Sequence, residues 1–355
     1  MKKFFISFIL IISLLFNVFA DNKQAHKELR KIFENYSMLP EMVEKGFDLD
    51  KLDKIDDWKE MRDYLQPFFQ DENGYPLDNH TNICFRSLSN TNPETYSTLD
   101  TESSMFIDWT DEYGSKKELL KKGFNEDEIF YYPYFNGEWR DGYRVGKKFM
   151  GNGNYKYNKV SNHPYLSSSK EALLVGISDF FNNQYYSEIS NSKKKYLILD
   201  LSYNYGGSVD YYFELVDAIK KMKPKEIFIL CDTCTASMGE FSSSWIEKAT
   251  NIKTTIIGYP TWGGWKHGKI EHTISFDTFI MYCGVEDNKS PWRALWDRYG
   301  VPYPIEGIGV TPDIYTNNVK ESLEVVKHLI KDNSLYLPED YIKEVDCGMK
   351  YKKWK

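Results

Sequence analysis

The sequence predicts an α/β protein built on a parallel sheet. Apolar runs at residues 196–199, 226–230 and 254–257 are continuous, as strands buried on both faces are. Helical periodicity fills residues 211–222 and the stretch from Ser237 to about residue 249, so the order is strand, helix, strand, helix, strand. The chain has 355 residues and 41% apolar content, enough for a large core and two or three structural units.

From the N-terminus, Lys2 and Lys3 precede an apolar run over residues 4–16 and the small-residue site Val18-Phe19-Ala20. This is the layout of a signal peptide, residues 1–20, cleaved after Ala20. The run is shorter than the roughly 20 residues a membrane span needs, and no later segment is long enough. Export to a periplasm or the exterior is therefore expected, with no membrane span in the mature chain. Residues 21–85 read as a helical bundle, because Trp58, Met61, Leu65 and Phe68 fall at i, i+3, i+7 and i+10. The bundle ends in the turn-rich segment Asp78-Asn79-His80-Thr81. Residues 86–165 are polar, Tyr-rich and punctuated by glycine, and predict short strands with long loops. A helix is expected over residues 170–181, with Leu173, Leu174, Ile177, Phe180 and Phe181 on one face and a capping box from Ser168 to Glu171. The α/β core spans 166–316, and 317–355 form a C-terminal helix and tail.

The formal net charge of −7 becomes −9 once Lys2 and Lys3 leave with the signal peptide, which argues against nucleic-acid binding. The aromatics, 16% of the chain, show no repeat and suit core and strand positions. Five cysteines are odd in number and too few for a disulfide scaffold. Cys231 and Cys234 form a Cys-x-x-Cys between strand and helix, as a redox site would. The helix is expected to start near Ser237, however, three residues too late to lower a thiol pKa. A disulfide or two buried thiols remain for that pair.

In the stretch Cys231 to Glu240, Ser237 stands between a buried strand and a helix start, where backbone donors converge. A helix-capping serine would occupy the same place. The turn Gly206-Gly207 follows the preceding strand and can aim a second amide at Ser237, an arrangement suited to an oxyanion. In an open parallel sheet both features fall at the carboxyl ends of strands, where ligands bind.

Leu199-Asp200-Leu201-Ser202-Tyr203-Asn204-Tyr205-Gly206-Gly207 resembles the aspartate-leucine-arginine-x-asparagine-x-glycine-glycine signature of the tail-specific, or C-terminal processing, serine peptidases. Thr235-Ala236-Ser237-Met238-Gly239-Glu240 is similar to their nucleophile motif. Gly258-Tyr259-Pro260-Thr261-Trp262-Gly263-Gly264 and Gly307-Ile308-Gly309-Val310-Thr311-Pro312-Asp313 are similar to two further family segments, in the family's order. The resemblance implies a ClpP- or crotonase-like catalytic core, a peptide or protein substrate, and neither cofactor nor metal. Where the serine-lysine branch carries its lysine, this chain has Gly264. The wording Trp262-Gly263-Gly264 instead resembles the branch of the tricorn core and the interphotoreceptor retinoid-binding protein.

That branch implies Ser237 as nucleophile, His80 as general base and Glu306 as the carboxylate that orients it, with Met238 and Gly206 or Gly207 as oxyanion donors. Lys266, two residues past the expected lysine, is the alternative base. Asp200, at a strand end, is expected to tie the Gly-Gly turn by hydrogen bonds. A domain of the PDZ type is not evident. Because the family also contains retinoid binders, a catalytically silent ligand- or peptide-binding protein of the same fold is the alternative function.

Overall fold

The computed structural model describes residues 26–34, 39–55, 58–69, 82–85, 103–154, 164–264, 274–275, 279–282, 291–301, 308–338 and 350–353. The expected signal peptide lies outside them. Contacts divide the chain into two units, residues 1–101 with 266–295, and residues 102–265 with 296–355. Residues 266–295, expected within the 166–316 core, thus belong to the first unit.

In the first unit, a helix over residues 26–34 is followed by helices Leu39–Glu44, Leu49–Leu52 and Trp58–Leu65 and a 3-10 turn, Gln66–Phe69. Leu29, Phe33, Met42, Leu52, Met61, Leu65 and Phe69 bury themselves in one core, against which Phe68 packs. Met61, Leu65 and Phe68 of the stripe read from sequence are therefore on the face that buries. Asp48 caps the helix Leu49–Leu52 by accepting from Asp50 N–H. Arg30 pairs with Glu34, Asp50 and Asp53, all at the surface, where each pair adds little. Strands Asn82–Phe85, Phe279–Tyr282 and Ile274–Ser275 make a separate antiparallel sheet.

The second unit begins with two long strands, β1 (Ser103–Gly114) and β3 (Tyr143–Asn154), with a short β2 (Ile129–Tyr131) between them. β1 pairs antiparallel with β3, with a register shift between Trp109 and Tyr113, and β2 also pairs with β3. Short strands with long loops were expected here, and two twelve-residue strands stand instead. Glycine misled the sequence reading. A Cβ on Gly146 would lie 2.4 Å from Ile107 Cγ2 and 2.8 Å from Trp109 Cε3, so this glycine makes room for an indole and punctuates no turn.

The main sheet has six strands: β4 (Tyr165–Ser168), β5 (Ala172–Gly176), β6 (Tyr196–Asp200), β7 (Glu226–Cys231), β8 (Thr254–Gly258) and β9 (Ile314–Tyr315). Its spatial order is β9-β8-β7-β6-β5-β4, with only the β4–β5 pair antiparallel. Helix α1 (Val209–Met222) joins β6 to β7, α2 (Met238–Thr250) joins β7 to β8, and α3 (Val319–Ile330) follows β9. This is the α/β parallel architecture the alternation predicts. Leu174, Ile198, Phe228, Leu230 and Ile257 pack with Leu323, Val326 and Ile330 of α3. Residues of the opposite parity, Leu197, Leu199, Ile227 and Ile229, are fully buried as well, which is why these runs read as continuous. Tyr212 of α1 packs edge-on to Trp245 of α2, their ring centroids 5.8 Å apart.

The helix expected over residues 170–181 is a strand, β5. Its side chains are buried on both faces, and a fully buried run carries no period that separates helix from strand. The expected capping box is a hairpin turn, in which Ser169 Oγ accepts from Ala172 N–H and Asp332 accepts from Glu171 N–H. A Cβ on Gly176 would lie 2.3 Å from the Tyr165 ring. That ring cannot easily retreat, since its hydroxyl donates to buried Asp200 at 2.7 Å. Gly176→Ala is therefore expected to destabilise the protein by about 1–3 kcal/mol, read as a lower midpoint in urea unfolding. An unchanged midpoint would show that the ring moves freely.

Candidate active site

β7 ends at Cys231 and α2 begins at Met238, and the turn between them carries Ser237 as the helix N-cap. Ser237 has φ 53° and ψ −124°, a conformation that L-residues avoid and that costs about 1–3 kcal/mol. Several hydrogen bonds hold it there. Ala236 N–H donates to Asn204 O at 2.7 Å, Thr235 Oγ1 to Leu201 O at 2.9 Å, and Trp262 N–H to Thr235 O at 3.0 Å. Ser237 N–H itself donates to Glu240 Oε2 at 3.1 Å.

The turn after β6 interlocks with this one. Asn204 is fully buried, donates to Ile177 O at 2.8 Å, and accepts from Gly206 N–H at 2.8 Å. Phe180 N–H donates to Gly206 O and Ser208 N–H to Phe180 O, so the Gly-Gly turn is pinned on its other side. Gly206 adopts φ +95°, open only to glycine. The point where a Cβ would stand lies 2.7 Å from both Ser237 Oγ and Met238 N, so the missing side chain leaves a space bounded by the hydroxyl and an amide. Met238 N–H is a helix-start amide, and neither it nor Gly207 N–H has a hydrogen-bond acceptor among the described residues. Gly206 N–H, in contrast, is committed to Asn204.

Glu240 ties the region together. Its carboxylate is fully buried and accepts from four donors: Thr261 Oγ1 and Gly263 N–H at 2.5 Å, Gly264 N–H at 3.0 Å, and Ser237 N–H. Thr261 Oγ1 accepts in turn from Val310 N–H at 2.7 Å. Burial pushes the Glu240 carboxyl up to about 7, and the four donors keep it from rising further. Asp232 repeats the pattern on a smaller scale. It accepts from Tyr203 N–H and Cys234 N–H, and burial raises it to about 6. Asp200 accepts from Tyr165 Oη and Ser202 N–H at the end of β6.

Cys231 and Cys234 are both buried, and burial raises the Cys231 pKa well above its ordinary value. A redox thiol needs the opposite shift. Ser237, Met238, Gly206 and Gly207 are thus brought together, whereas His80, Lys266 and Glu306 lie outside the described residues. Sequence reasoning missed what Glu240 does, although the Ser-x-x-Glu spacing of a capping box is a signal for one of its four bonds.

No family model matches this chain, and no curated protein matches it. Among solved structures it is similar to a lipoprotein from Streptococcus agalactiae, at 13% identity over 86% of this chain and 96% of that one, with a TM-score of 0.41. It is also similar to the tricorn protease, at 16% identity over 45% of this chain and 18% of that one, TM-score 0.34. A third is the photosystem II D1 C-terminal processing protease, at 15% identity over 55% and 57% of the two chains, TM-score 0.34. At that level of similarity the site's own geometry has to carry the functional argument.

Because the folded Glu240 carboxyl sits near 7, above its ordinary 4.5, the folded state holds its proton more tightly than the unfolded state. Its contribution to stability is complete below about pH 4.5 and is lost as pH rises through about 7. Glu240→Gln removes that titration. The stability of the parent minus that of the variant, measured by unfolding between pH 4.5 and 8, should fall across the window and level off above it. A difference that stays flat refutes the assignment.

Proposed function

We propose that this chain is a serine peptidase that cleaves peptide bonds through an acyl-enzyme on Ser237. The observation that carries the reading is the strained Ser237, whose Oγ borders the side-chain-free space at Gly206 beside the unengaged Met238 N–H. A helix cap alone needs no such backbone, since a capping serine ordinarily has extended φ and ψ.

In the proposed cycle Ser237 Oγ attacks the scissile carbonyl carbon while His80 takes its proton, and the carbonyl oxygen becomes an oxyanion. Met238 N–H and Gly207 N–H hold that oxyanion, each donor contributing roughly 3–4 kcal/mol. Gly207 is preferred to Gly206 as the second donor because Gly206 N–H already donates to Asn204. Collapse breaks the C–N bond as His80 returns the proton to the leaving amine. Water, deprotonated by His80, then attacks the ester, releasing the acid and restoring Ser237. Glu306 accepts from the far imidazole nitrogen, fixing the tautomer and stabilising the imidazolium. Gly264, at the lysine position of the other branch, is a backbone donor to Glu240, which supports histidine over Lys266 as base. The same proposal includes export directed by residues 1–20 and a peptide or protein substrate.

Labelling of the protein with a fluorophosphonate probe should map to Ser237. Ser237→Ala should abolish labelling and turnover with little change in melting temperature. Ser237→Gly should also be inactive but more stable, by about 1 kcal/mol or more, because glycine relieves the strain. Turnover in either variant refutes the nucleophile.

The base is tested by the pH profile. With His80 acting, kcat/KM should rise through one ionisation in the histidine range, near 6.5. His80→Ala should lose at least about 100-fold while Lys266→Ala keeps its rate. The reverse pattern would assign the lysine.

A further inference from the structure

Away from Ser237, the second unit contains a cavity of about 360 Å³ bordered by β3, β1 and the start of α3. Three charged side chains line it: Arg144, Glu321 and Asp111. The guanidinium of Arg144 is held in place without a carboxylate. Its Nε donates to Thr110 O at 2.9 Å, and its Cζ lies 5.1–5.3 Å from the ring centroids of Trp109, Tyr132 and Phe135. Arg144 forms no ion pair among the described residues. Glu321 is held as firmly by neutral groups, since its Oε2 accepts from Tyr132 Oη at 3.0 Å and from Asn317 N–H at 2.9 Å. Asp111, at the rim, is exposed and makes neither ion pair nor hydrogen bond among the described residues.

Opposite charges lining one cavity ordinarily collapse onto each other. Here Arg144 is fixed by aromatic faces and a carbonyl, and Glu321 by a buried phenol and a backbone amide, so they stay apart. A cavity with one fixed cation and two carboxylates complements a ligand with one carboxylate and two ammonium groups. Its volume is at the lower end for small-molecule sites, which suits a single amino acid or a short peptide. A planar guanidinium, stacked and pre-oriented, is suited to bidentate recognition of a carboxylate.

We propose that this cavity is a binding site for a free basic α-amino acid, or a dipeptide with a basic residue, with the ligand carboxylate on Arg144 and its ammonium groups on Glu321 and Asp111. The site does not depend on the peptidase reading, and its test reads binding alone.

Isothermal titration of the full chain with L-lysine should give saturable 1:1 binding. L-lysine amide, which lacks the carboxylate, Nα-acetyl-L-lysine, which lacks the α-ammonium, and L-norleucine, which lacks the side-chain charge, should each bind about tenfold or more weakly. Arg144→Gln and Glu321→Gln should each weaken L-lysine by about ten- to a hundredfold. Arg144→Lys keeps the charge but not the fork and guards against a folding defect. It should retain the melting temperature and still lose affinity. Absence of saturable L-lysine binding at up to tens of millimolar would overturn the proposal. So would equal affinity for L-lysine and its amide, or parental affinity in both glutamine variants.

Discussion

Glu240 is a carboxylate with no exposed surface, and the order of the candidate site depends on its four hydrogen bonds. Removing a carboxylate from water costs several kcal/mol, and donors offset that only when all are in place. The four donors come from two turns, the one that carries Ser237 and the one from Thr261 to Gly264. Through Thr261 Oγ1 and Val310 N–H the same network reaches the segment that leads into β9. Each turn is irregular by itself. Joined at one buried carboxylate, the two turns hold each other in place.

That arrangement sustains the strain at Ser237. A positive φ at a serine persists only if its surroundings over-determine it, and here Asn204, Thr235, Ala236 and Trp262 all contribute bonds. Asp200 and Asp232 act similarly at the ends of β6 and β7, gathering turn amides that the sheet ladder no longer satisfies. At Asp232 burial, and to a lesser degree the nearby charge of Asp200, raise the carboxyl. The Cys231 thiol, at the end of β7, donates to Tyr259 O at 3.4 Å.

Both sites of the second unit follow from the parallel sheet. Ser237 follows β7, and Asn317 and Glu321 follow β9, so each lies beyond the carboxyl end of a strand. There the backbone leaves its ladder, and chain reversal brings together side chains distant in sequence. The Arg144 cavity adds a wall from the antiparallel β1 and β3, whose aromatic residues are anchored to the sheet where Tyr259 Oη accepts from Ile107 N–H.

How much was legible depended on how local the signal was. The alternation of 196–258 was readable because each strand is a short β-branched or leucine run and each helix has its own apolar period. Ser237, Met238, Gly206 and Gly207 were readable because turn chemistry sits within a few residues. The strand at 172–176 was not, since burial on both faces erases the period, and only pairing with β4 and β6 decides it. Nor were the twelve-residue strands at 103–154, where glycines read as punctuation include Gly146, which faces Trp109 across the β1–β3 pair. By itself the sequence determined the class of the fold and the place of Ser237 between a buried strand and a helix start, which are properties of neighbouring residues. Tertiary structure alone decided that one glutamate would bind two turns, and that Arg144 and Glu321, 177 residues apart, would border one cavity. Those are outcomes of how the folded chain places charges that are distant in sequence, and no local pattern encodes them.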